Sequence, residues 1–148
     1  MKNNNTNELT NQTNNIINTA IEELNAFYSF ARRITDTSCN DIGIAARLNN
    51  ITLLHQTQSG NSLRMVSSLY HKLINETQSV DYCNNQEYIE RCIYIMQTLD
   101  TFYQSVLPNY IVKLQQHIET SLQEYRKISI EFISQIEILK NQLSNFNK

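Results

Sequence analysis

The sequence has two glycines, one proline and no tryptophan in 148 residues. Tight hairpins draw on glycine-containing turns, so this scarcity excludes a β-meander or barrel of short strands. It also excludes a Gly-rich backbone cradle for phosphate. No stretch alternates strictly between apolar and polar residues, as a surface strand would.

Cysteine is sparse: Cys39, Cys83 and Cys92. An odd, scattered set forms neither a disulfide framework nor a zinc-ligand spacing. Free thiols of this kind fit a reducing compartment. Cys92 lies on an apolar face and is expected in the core, whereas Cys83 falls in a loop.

Charge of one sign is missing too. The net charge is −2 and the pI about 5.9. The longest basic clusters are the pairs Arg32-Arg33 and Arg126-Lys127, so nucleic acid is not an expected partner. No run approaches the roughly 18 apolar residues of a membrane span, and no membrane insertion is expected. The opening "MKNNNTNELTNQTNN" lacks the apolar centre of a secretory signal and the arginines of a mitochondrial presequence. The expected location is cytoplasmic, with the nucleus open to so small a chain. The N-x-S/T sequons at Asn4, Asn11, Asn50 and Asn75 are read as chance in an Asn- and Thr-rich chain.

Catalytic patterns are absent as well. No Glu-x-x-His pair, H-E-x-x-H or G-x-S-x-G occurs. His55, His71 and His117 have no acidic residue three or four positions away, so each is expected at a surface or boundary. No catalytic residue, metal site, cofactor or small-molecule substrate is expected.

What the sequence does have is helical stripes. Apolar residues make up 41% of the chain, enough for a core. Ile17, Ala20, Ile21, Leu24, Phe27, Tyr28, Ala31 and Ile34 recur every three or four positions. "TDTSCND", 35–41, ends that helix with cap and turn residues. Ile44, Leu48, Ile51, Leu54 and His55 stripe a second helix, which weakens at "QTQSGNS", 56–62. Gly60 can close it, and Asn61 or Ser62 can cap a third helix carrying Leu63, Val66, Leu69, Tyr70 and Leu73. "NETQSVDYCNNQ", 75–86, is the clearest loop. A fourth helix carries Tyr88, Ile89, Cys92, Ile95, Met96, Leu99, Phe102, Tyr103 and Val106. At Pro108 a fifth helix either starts or continues the fourth with a kink.

From Ile111 the apolar period tightens. Ile111, Ile118, Tyr125, Phe132, Leu139 and Phe146 stand seven apart, and Leu114, Leu122, Ile128, Ile136 and Leu143 form a second line. The mean step is about 3.5 residues, the coiled-coil period. Ile130, Ile133 and Ile138 widen the face that is expected to be buried. As one helix, 108–146 would reach about 58 Å. A compact chain of this size is roughly 38 Å across. The excess must be covered by other helices of the chain or by foreign ones.

The expected fold class is all-α: an elongated antiparallel helical bundle with a long C-terminal coiled-coil helix and a disordered N-terminal tail. The division is a disordered Asn-rich tail at 1–13, a short-helix bundle at 14–107 and a long coiled-coil helix at 108–148. In outline the chain is similar to small helical subunits of vesicle-tethering, lysosome-positioning, kinetochore and transcription-coactivator complexes. That similarity is one of architecture and transfers no residue roles. The expected function is that of a non-catalytic structural or adaptor subunit of a multi-protein assembly. It would bind other helical proteins, as a hetero-complex in preference to a homo-oligomer. Its partner interface would be the line Ile111, Ile118, Tyr125, Phe132, Leu139 and Phe146. The alternatives are a self-contained bundle with a small apolar ligand in its core and, behind it, an enzyme with a cross-helix site.

Overall fold

The computed structural model describes residues 2–35, 50–53, 55–80, 82–116 and 122–146. The described residues are helical apart from short turns, and none is in a strand. Among the described residues five helices carry the fold. They are α1 (Lys2–Thr35), α2 (Gly60–Glu76), α3 (Tyr82–Thr101), α4 (Leu107–Gln116) and α5 (Leu122–Ser144). A π-helical turn, His55–Ser59, leads into α2, and another, Phe102–Val106, joins α3 to α4. Among the described residues no helix is long and apolar enough to cross a membrane.

α1 forms where the apolar stripe requires it. Ile17, Ala20, Leu24, Phe27, Ala31 and Ile34 are all buried. Arg32 and Arg33 stand in its last turn, where cations complement the helix dipole. Leu9 and Thr13 are buried, so residues 8–13 of the stretch expected as a tail pack with the bundle. Tertiary cover overrides the weak helix preference of this Asn- and Thr-rich stretch.

The expected second helix falls largely outside the described residues, as does Cys39; residues 50–53 are helical and Ile51 is buried. Gly60 does not close a helix. No described glycine has a positive φ, and Ser59 ahead of it is itself helical. Ser62 turns inward and leaves its expected capping role. α2 buries Val66, Leu69 and Leu73. It stops at Glu76, where the Thr77 amide and hydroxyl both donate to the carbonyl of Ile74.

α3, the π turn and α4 make one continuous rod, 82–116, about 52 Å long. Pro108 lies inside it. Proline has no N–H to donate one turn back and crowds the carbonyl four residues earlier. That position, Gln104, sits within the π turn, whose wider loop relieves the conflict.

The rods alternate in direction. Gln12 meets Lys72 and Glu23 meets Ser62, so α1 and α2 are antiparallel. Thr13 meets Cys92, Glu23 meets Tyr103 and Phe30 meets Tyr110, so α1 is parallel to the α3–α4 rod. Phe146 meets Tyr88, and Phe132 meets both Phe102 and Tyr110, so α5 returns antiparallel to that rod. α1 packs most closely along α5, and α2 along α3. The described helices form an up-down-up-down bundle of four rods. Its two tight seams are α1–α5 and α2–α3; its two looser sides, α1–α2 and α3–α5, face opposite ways.

One expectation is overturned here. Residues 108–146 are not one helix. α4 ends at Gln116 and α5 begins at Leu122 in the opposite sense. The rings of Tyr110 and Phe132, which a continuous helix would hold about 33 Å apart, are stacked with centroids 3.9 Å apart.

Candidate functional site

The apolar line of the C-terminal half is internal. Ile111, Tyr125, Phe132, Leu139 and Phe146 are buried, and Ile118 lies outside the described residues. The second line is buried as well, at Leu114, Ile128, Ile136 and Leu143. The chain's own rods cover this ridge, and the length argument for foreign helices falls away with the fold-back. Of the three flanking isoleucines only Ile133 joins the core; Ile130 and Ile138 are 57% and 61% exposed.

The most unusual interior feature is a carboxylate. Glu23 is only 7% exposed and lies within the apolar stripe of α1. Ser59 donates to its Oε2 at 3.2 Å, while Ser62 and Tyr103 donate to its Oε1, Tyr103 at 3.3 Å. Ser59 closes the first π turn and Tyr103 belongs to the second. Both irregular turns thus deliver a hydroxyl to one carboxylate. A π turn carries an extra residue and rotates the helix beyond it, which aims these side chains inward. Burial above all, and then the charge of Glu23, raises the pKa of the Tyr103 hydroxyl well above its ordinary value, so it keeps its proton and stays a donor.

Glu, Ser and Tyr are catalytic residue types, but the cluster is closed. The neighbouring space among Ile16, Thr19, Ser62, Met65, Val66 and Tyr103 leaves no room for a water molecule. A drug-sized ligand asks for about 300 Å³ or more. The cluster fixes the relative register of α1, α2 and the α3–α4 rod through a satisfied polar network. Sequence reasoning missed it. The available signal was Glu23 on a stripe between Ala20 and Phe27, and Ser62 at the head of the stripe Val66, Leu69, Leu73.

Cys92 is buried and accepts from the Thr13 hydroxyl at 3.7 Å, while Cys83 is exposed. Burial pushes the Cys92 thiol up, away from the reactive thiolate. His71 is exposed, and its ring stands edge-on to Tyr70. His55 is half-buried at the start of the first π turn, and its Nδ1 has no hydrogen-bond partner. His117 lies outside the described residues. Among the described residues no three His, Cys, Asp or Glu side chains stand close enough to hold a metal ion.

The loose α3–α5 side carries two successive hollows. A hollow of about 540 Å³ lies between Glu87, Glu90, Arg91 and Tyr94 of α3 and Gln142, Asn145 and Phe146 at the end of α5. Arg91 caps the Phe146 ring at 5.0 Å. A second hollow of about 290 Å³ follows directly, between Thr98, Thr101 and Val106 on one side and Gln135 and Ile138 on the other. Gln142 borders both and donates to the Tyr94 hydroxyl at 3.4 Å, bridging the groove between them. Tyr94 is 56% exposed beside it. The groove runs about 28 Å along α3 and the π turn, from Glu87 to Val106.

No family model, curated protein or solved structure matches the chain. The grooves and the buried cluster therefore stand on their own geometry.

Proposed function

We propose that the protein is a non-catalytic adaptor that holds a helix of another protein in its α3–α5 groove. The observation that carries this is the groove itself: two successive hollows, bordered by the exposed side chains of Tyr94 and Ile138. An amphipathic helix of about 18 residues would fill its length. Its apolar edge would cover Ile138, Val106 and the face of Tyr94. Gln135, Gln142 and Thr98 would supply hydrogen bonds at the rim, where they remain wet. Each large apolar side chain so buried contributes about 1.5–3 kcal/mol before ordering costs. The Glu23 cluster and the buried ridge keep the platform rigid, which lowers the cost of binding.

The reading keeps the adaptor role expected from sequence and moves its surface from the buried Ile111-to-Phe146 line to the adjoining exposed edge of α5, at Gln135, Ile138 and Gln142. Free thiols at Cys83 and Cys92 support a reducing compartment, the cytosol or nucleus.

The experiment is affinity isolation from cells with the wild-type chain and with Tyr94→Glu/Ile138→Glu. Both side chains are exposed, so the variant should melt like the parent. A helical protein recovered by the wild type, lost from the variant and rebound as a purified component supports the proposal. An identical set of recovered proteins contradicts it.

A further inference from the structure

The α1–α2 side, opposite that groove, has a different chemistry. It holds a hollow of about 360 Å³ between the two helices. Ile16 and Leu69, both buried, form its apolar floor. Met65 stands at its rim, 44% exposed. Arg64 and Lys72 flank it, and among the described residues its remaining lining is Gln12, Asn15 and Ser68, with no carboxylate. Among the described residues neither cation is paired with an acid; the Lys72 ammonium donates to Gln12 Oε1 at 3.4 Å. In a chain of net charge −2 this is a local cationic patch with an apolar centre.

We propose that this hollow docks an acidic amphipathic helix of a partner protein. An apolar side chain of that helix would seat on Ile16, Met65 and Leu69, and two carboxylates would meet Arg64 and Lys72. The charge of the lining selects an anionic occupant, and the floor selects one with an apolar edge. The spacing fits a helix. Arg64 and Lys72 are eight residues apart on α2, about 12 Å along its axis, close to the roughly 11 Å between carboxylates two turns apart on a facing helix. A membrane surface calls for a cluster of roughly four to eight basic residues, and this side offers two. The site stands whether or not the α3–α5 groove takes a helix. With both occupied, the bundle would bridge two partners across opposite faces.

The test uses the full chain and two fluorescein-labelled helical peptides of 18 residues. One carries a leucine stripe flanked by glutamates at positions seven apart; the other has glutamine in place of those glutamates. Fluorescence anisotropy is read at low and high NaCl, with ¹⁵N amide shifts mapping the contact. The acidic peptide should bind, shift the amides of Gln12, Arg64, Met65 and Lys72, and weaken as salt rises. The glutamine peptide, and the variant Arg64→Gln/Lys72→Gln, should each weaken binding at least about tenfold. If the double variant melts early, the two single substitutions are read instead. Equal binding of the two peptides, binding indifferent to the substitutions, shifts confined to the α3–α5 groove, or no binding would each overturn the proposal. So would phosphatidylserine vesicles that bind the wild type and not the double variant while the peptide fails to bind.

Discussion

Tyr110 and Phe132 lie face to face, their ring centroids 3.9 Å apart and their planes 10° from parallel. The Tyr110 hydroxyl is held to Ser129 Oγ at 2.7 Å, one turn before Phe132 on α5. Phe102 stacks against the same phenylalanine and Phe30 stands edge-on to Tyr110. These contacts pin the end of the α3–α4 rod to α5 and α1, and they fasten the reversal of the chain.

Phe132→Ala should therefore destabilise the isolated chain by about 3–5 kcal/mol, because it empties a ring site in a closed core. Ser129→Ala strands the buried Tyr110 hydroxyl and should cost about 1–3 kcal/mol. The double variant Ser129→Ala/Tyr110→Phe should recover part of that loss, since both polar partners are gone. Glu131→Ala, on the exposed face, should stay within about 0.5 kcal/mol. Urea unfolding followed by circular dichroism reads all four. Wild-type stability in Phe132→Ala would mean that the stacked contact does not hold α5 in place.

At Glu23 the order of effects is diagnostic. Leucine there would leave the hydroxyls of Ser59, Ser62 and Tyr103 without their shared acceptor. Glu23→Leu should cost more than Glu23→Gln, which keeps one acceptor oxygen. Ser62→Ala should cost about 1–3 kcal/mol through the loss of a charge-assisted bond. Differential scanning calorimetry on the three variants gives the ranking. A Glu23→Leu chain more stable than wild type would show that the network's desolvation cost exceeds its bonds.

His55 gives a pH dependence with a definite sign. Burial lowers its pKa below the ordinary 6.5, so the folded chain resists protonation there. An unfolded chain has no such resistance and takes up a proton as pH falls below about 6.5. Its contribution to stability is thus intact above that value and declines on acidification towards the lower folded pKa. The effect should be modest, because the ring is only half-buried. Urea midpoints measured from pH 8 to 5.5 should fall further for wild type than for His55→Asn. Parallel curves would remove His55 as a contributor.

Much of the architecture is readable from residue spacing, and its failures have physical causes. The stripes of α1, α2 and α3 name their buried faces because a 3.6-residue period leaves one face dry. The described members of the line from Ile111 to Phe146 are buried, as their spacing implies. But periodicity reports only that a face is covered, never by which chain. The reversal between Gln116 and Leu122 carries neither Gly nor Pro in "HIETS", so the usual turn chemistry is silent there. Packing of Leu9 and Thr13 draws an Asn-rich stretch into α1, a tertiary effect beyond local propensity. The cluster at Glu23 depends on two π turns, which shift side-chain register in a way no fixed period anticipates. Both grooves arise from unequal packing between rods and leave no local mark in the sequence.

The most direct test is a distance across the reversal. Asn109 and Gln135 are exposed and line one hollow between α4 and α5. Spin labels at Asn109→Cys and Gln135→Cys, in a chain whose native cysteines are replaced by serine or alanine, can be measured by double electron–electron resonance. Adjacent packed helices predict a separation below about 20 Å. A distribution centred near 39 Å, the span of one unbroken helix, would contradict the closed bundle and return the apolar ridge to an outside partner.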